Sequence, residues 1–154
     1  EELGYTSRGR EHHHDVYVKH PYMVVEAHWA MYDQTVDKKQ YEYFSDFSKA
    51  VLVDGASYTY NFNKEDFYVY MMAHMAKHFE TGGCGVKPFL DLWILEHRIE
   101  HSDKSRNQLL EKGNLLTFSN VCQHLSEVWF GDAETDTLSQ QMPLMLIQEL
   151  IQWL

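Results

Sequence analysis

Four places in this sequence have residue types and spacings that chemistry uses. The first is Glu26 with His28 in the stretch VVEAHW. Side chains alternate along an extended chain, so residues two apart share a face, and a carboxylate and an imidazole are presented together. Such a pair can accept a proton and orient the acceptor. The same alternation also describes an ordinary solvated sheet face.

The second place is HMAKH at 74–78. On a helix His74 and His78 are four apart and point the same way, a spacing that suits two metal ligands or two donors to one anion. The helical wheel puts both at the border between an apolar arc of Tyr68, Met71, Met72, Met75 and Phe79 and a polar seam that holds Lys77. Two imidazoles that merely satisfy local partners would look the same. No HExxH glutamate or cysteine pair follows to complete a zinc set.

Third is Asp91, a single carboxylate inside the apolar run KPFLDLWIL. Buried, it needs a partner. The glycine-rich corner before it is expected to fold its helix back against the one bearing His74 and His78, which predicts an Asp91–histidine pair. A helix-dipole role stands beside that reading, because Asp91 lies within a turn of the helix start. Fourth is TGGCG followed by Lys87 and Pro88, which resembles a phosphate cradle at a helix N-terminus. It lacks the Walker order, and a tight corner explains its glycines equally well. GxSxG, GxGxxG and a kinase-type HRD do not occur.

Period-2 alternation predicts a strand ending near Met31, with Met23, Val25, Ala27, Trp29 and Met31 on one side and Val24, Glu26, His28 and Ala30 on the other. The β-branched and aromatic stretch HHHDVYVK precedes it, and the His20–Pro21 step connects the two as an antiparallel hairpin. Helices, or more strands, are then expected against the Met23/Val25/Trp29 face. A helical segment over 37–51 and a turn-rich stretch follow. Asn63 reads as the N-cap of a helix from Lys64 to about Glu80, with Glu65 and Asp66 in its first turn. Gly82 and Gly83 end that helix, and Pro88 opens the next, which runs to Arg98. Two further helices close at Gly113 and Gly131, a polar break covers 132–137, and an apolar-faced last segment runs to Leu154. The fold class expected is α+β: a β-hairpin or sheet edge at about 11–31, followed by a mainly helical bundle of about five helices. So high a ratio of helix to strand suggests a sheet edge whose other strands lie outside these residues.

The chain has 154 residues, 44% of them apolar and 14% aromatic, enough for one core of ordinary size. A net charge of −10 disfavours nucleic acid as a partner. Cys84 and Cys122 cannot form a disulfide framework, and no apolar run reaches membrane-spanning length, so a soluble, cytoplasmic protein with no membrane partner is expected.

FYVYMMAHMAKHFETGGCGVKPFLDLWILEHR, preceded by YMVVEAHW and followed by NVCQHLSEVWFG, resembles the bacterial family of uncharacterised nucleotidyltransferase-like proteins. The resemblance implies a nucleotidyltransferase core in which strands carry three acidic residues around a metal, followed by a helical region. On it, 1–33 is similar to the C-terminal strands of such a core and 34–154 to the helical region. The wider pattern has a glycine-serine turn with a D-x-D or E-x-D pair, then a third acid between apolar residues. Val25-Glu26-Ala27 matches the third element, which makes Glu26 the implied metal-binding or proton-accepting carboxylate and His28 its helper.

The glycine-serine turn with its acidic pair is missing, and D-x-D occurs nowhere in the sequence. The expectation is therefore the C-terminal part of a nucleotidyltransferase that moves NMP from an NTP to an unknown acceptor and is inactive as this chain alone. The implied cofactors are Mg²⁺ or Mn²⁺ with the NTP, and His74, Lys77, His78 and Asp91 would contact phosphates or acceptor from an opposite wall. The alternatives are a non-catalytic interaction module that retains the enzyme fold, or a metal-dependent hydrolase using residues 12–14, Asp15 and the HxxxH pair. The apolar LIQELIQWL end and a half-exposed sheet edge suggest a homo-oligomer.

Overall fold

The computed structural model describes residues 3–11, 13–35, 38–137 and 140. The chain divides into two compact units, Glu1–Ala50 and Val51–Leu154.

The first unit is built on an antiparallel sheet of three strands, β1 (Thr6–Glu11), β2 (His14–Lys19) and β3 (Met23–His28), in that spatial order. β2 and β3 form the expected hairpin across His20–Pro21, with Lys19 opposite Met23 and His14 opposite His28. Val16 opposes Glu26, so His14, Val16, Glu26 and His28 share one face. β1 was not expected. Its sequence TSRGRE is exposed throughout and has no apolar alternation to betray it. It pairs through a bulge between Ser7 and Gly9. Gly9 sits there at φ +98°, where a side chain would be strained, and its N–H donates to Ser7 Oγ at 3.1 Å.

Other expectations for this unit are corrected. β3 stops at His28 rather than running on to Met31. The Met23/Val25/Trp29 face is not covered: the three residues are 55%, 42% and 38% exposed. Trp29 is instead overlaid by the Arg10 guanidinium, 4.4 Å from the ring centre. Helix α1 (Lys38–Phe44) is shorter than the segment the pattern suggested. Asp46 ends the helical stretch by accepting the Ser48 N–H at 3.0 Å, which caps a single 3₁₀ turn over Phe47–Lys49. Among the described residues of this unit the buried apolar ones are Val16, Ala30 and Phe44, with the Phe44 ring 5.5 Å from that of Tyr32.

In the second unit the turn-rich stretch forms a small hairpin, β4 (Val51–Leu52) with β5 (Tyr60–Asn61). Among the described residues four full helices follow: α2 (Lys64–Thr81), α3 (Lys87–Arg98), α4 (Asp103–Lys112) and α5 (Leu116–Phe130). Asn63 caps α2 as predicted, its Oδ1 accepting the Asp66 N–H at 2.8 Å. Gly82 and Gly83, both at positive φ, close the helix by donating to the His78 carbonyl. α3 packs chiefly on α5, and α2 on α4. Met72, Ala73, Phe89, Leu92, Leu110 and Leu125 are completely buried. Each large one is worth about 1.5–3 kcal/mol over leaving it exposed. The expected last segment lies almost wholly outside the described residues. Among them, no helix is long and apolar enough to cross a membrane.

Candidate functional site

The face of β3 brings Glu26 and His28 together as alternation predicts. His28 Nε2 lies 3.2 Å from Glu26 Oε2, and both side chains are about half exposed. Cross-strand pairing adds what spacing alone did not show. His14, opposite His28, has its ring 4.8 Å from it, and His13, from the tight β1–β2 turn, lies 5.1 Å and 5.3 Å from the rings of His14 and His28. The His13 carbonyl is fixed by the Trp29 N–H at 3.2 Å. Glu11, at the end of β1, opposes His14 and puts Oε2 3.9 Å from its Nε2. One end of the sheet therefore carries three imidazoles between two carboxylates. His12 lies outside the described residues.

On α2, His74 and His78 meet as their spacing requires, Nε2 to Nε2 at 2.9 Å with rings edge to face. One ring must donate and the other accept, so at least one is neutral in this contact. Both are exposed, and Lys77 on the same helix is half-buried. The predicted Asp91–histidine pair is not formed. Asp91 instead takes the ammonium of Lys87, one turn earlier on α3. The reason is packing: the glycine corner does not lay α3 chiefly on α2, and a lysine four residues away reaches the carboxylate locally. Lys87 is accordingly engaged within its own helix rather than held out as a phosphate partner.

A polar cluster that sequence reasoning missed lies among the four helices. Tyr68 of α2 bonds to Ser119 Oγ of α5 at 3.1 Å, and Gln123 Nε2 donates to both Tyr68 Oη and Glu96 Oε1 at 2.9 Å. Arg106 of α4 donates to the same Glu96 oxygen at 2.8 Å and lies over the Tyr68 ring. Burial pushes the Tyr68 phenol well above its ordinary value, with the Ser119 hydrogen bond opposing. Arg106 and Leu110, four apart on α4, are both buried; that stripe was the available signal. Elsewhere in the unit, burial above all, with nearby Cys84 adding to it, pushes the Cys122 thiol up to about 12.

The family's implied Mg²⁺ or Mn²⁺ can be tested against these donors. Both ions favour oxygen ligands, and Mg²⁺ demands a near-octahedral set of them. Among the described residues, the group of three or more metal-competent side chains that comes together is all imidazole, His13, His14 and His28. Those donors do not fit Mg²⁺, and Glu26 supplies one carboxylate beside them.

A small antiparallel sheet with an acid and histidines on one face, followed by helices, defines an α+β protein. Residues 1–131, across both units, match the family model described as uncharacterised nucleotidyltransferase, and the chain belongs to that family. No curated protein and no solved structure gives a significant match.

Proposed function

We propose that this chain is the C-terminal part of a nucleotidyltransferase that moves NMP from an NTP to an acceptor hydroxyl, with Glu26 as its third acidic residue. The observation that carries the reading is the character of β3. It is an edge of its sheet, yet Met23, Val24 and Val25 are apolar and exposed on both faces beside Glu26. An exposed apolar edge invites a further strand, and the superfamily core supplies strands with the acidic pair that these residues lack. In that core Glu26 accepts the proton of the attacking hydroxyl as its oxygen bonds to the α-phosphorus and the α–β bond breaks to release pyrophosphate, and His28, 3.2 Å away, fixes the carboxylate's orientation. Mg²⁺ or Mn²⁺ arriving with the NTP would need the oxygen donors of the acidic pair.

The test is transfer of label from an α-labelled NTP by the protein that carries the acidic pair. Turnover is expected to fall about 100-fold or more in Glu26→Ala, and this chain alone is expected to be inactive. Unchanged turnover in Glu26→Ala removes Glu26 from the mechanism.

A further inference from the structure

We infer that the end of the sheet made by the β1–β2 turn and the last residue of β3 is a transition-metal site, in which His13, His14 and His28 hold one ion of the Zn²⁺ class. The inference concerns a different ion from the one nucleotidyl transfer implies, and it stands without that reading. One nitrogen from each ring lies within 4.8 Å of the others. Tetrahedral Zn²⁺ at about 2.0–2.1 Å from each nitrogen needs them about 3.3 Å apart, so small side-chain rotations close the set. The backbone already fixes the ring origins, through the His14–His28 register and the bond from the Trp29 N–H to the His13 carbonyl.

The surroundings point the same way. His14 Nε2 faces Glu11, while its Nδ1 is buried with no hydrogen-bond partner. A buried imidazole nitrogen without a partner is costly, and a metal ion satisfies it. A carboxylate against one ring nitrogen, with the other directed to the ion, is the arrangement that orients and strengthens histidine ligands. Glu26 Oε2, 3.2 Å from His28 Nε2, is within hydrogen-bond reach for that role, and Glu11 Oε2, 3.9 Å from His14 Nε2, needs a small movement to reach it. Three neutral imidazoles select Zn²⁺, Co²⁺ or Ni²⁺ over Mg²⁺. The fourth position is left for water.

The test uses the chain without a polyhistidine tag, freed of metal, titrated calorimetrically with Zn²⁺ and with Mg²⁺, and examined by visible absorption with Co²⁺. The expected result is one Zn²⁺ per chain, a four-coordinate Co²⁺ spectrum and no Mg²⁺ uptake without nucleotide. His14→Gln with His28→Gln should weaken Zn²⁺ binding about 100-fold or more. Should that pair fail to fold, His28→Asn alone is read by its altered Co²⁺ spectrum. The inference is overturned if the unsubstituted chain takes up no Zn²⁺, if its Co²⁺ complex is six-coordinate, or if binding survives the substitutions. Survival would place the ion elsewhere, as at the His74–His78 pair. None of these readouts needs nucleotide, so failure of the transferase assay leaves them interpretable.

Discussion

Arg106 and Glu96 show what a single side chain contributes here. Both are nearly enclosed, with side chains 6% and 16% exposed, and their ion pair is completed by Gln123 and Tyr68. Removing Arg106 takes the guanidinium from Glu96, which keeps the Gln123 N–H and His101, so Arg106→Ala should cost about 3 kcal/mol in urea unfolding. Arg106→Met combined with Glu96→Gln should recover much of that loss. A cost below about 1 kcal/mol for Arg106→Ala would show the pair to be solvated. The cysteines give a second prediction. Cys122, buried and pushed up to about 12, should resist alkylation of the native protein at mildly alkaline pH, while half-buried Cys84 reacts. The unfolded thiol ionises near its ordinary value, so this group withdraws stability as pH rises from there towards about 12. Rapid native labelling at Cys122 would contradict the burial. Glu26 with His28 and His74 with His78 were legible because their geometry is local, set by the strand or helix period alone. The partner of Asp91 was not, because it depends on which helix packs where. Nor was the Tyr68–Glu96–Arg106–Gln123 cluster, which takes one or more residues from each of four helices.

At the scale of elements, the helix ends were readable and the polar strand was not. Asn63, Gly82 and Pro88 each act on their own neighbours, so capping chemistry located the ends of α2 and the start of α3 directly. Asn63→Ala should lower unfolding free energy by about 1 kcal/mol, and Asn63→Asp should be close to neutral; equal losses would mean the cap is not what holds that end. β1 escaped detection because TSRGRE buries nothing and is held by its ladder to β2. α4 is tied to α2 by the Ser102 N–H donating to Glu65 Oε1 at 3.1 Å, and that bond holds the Glu65 carboxyl below its ordinary value. The sign follows: the stabilisation is present above the unfolded value and is lost as pH falls through the lower, folded one. Glu65→Gln should therefore flatten the acid limb of the stability curve. An unchanged limb would mean the bond does not form in solution.

For the whole molecule, the expected α+β order of sheet then helices holds, with three strands where two were foreseen. Family membership rests on the match over residues 1–131. The catalytic reading rests on β3, an exposed apolar edge that bears Glu26. Sequence could show the acid between apolar neighbours, but only the pairing of three strands shows that this acid lies on an open edge and beside an imidazole cluster. The most direct measurement is the rate of α-phosphate transfer by the protein that carries the acidic pair, compared between the unsubstituted form and a folded Glu26→Gln variant. The account predicts transfer by the first and a rate lower by about two orders of magnitude or more in the second. Equal rates, or no transfer from any of the four common NTPs by the unsubstituted protein, would contradict it.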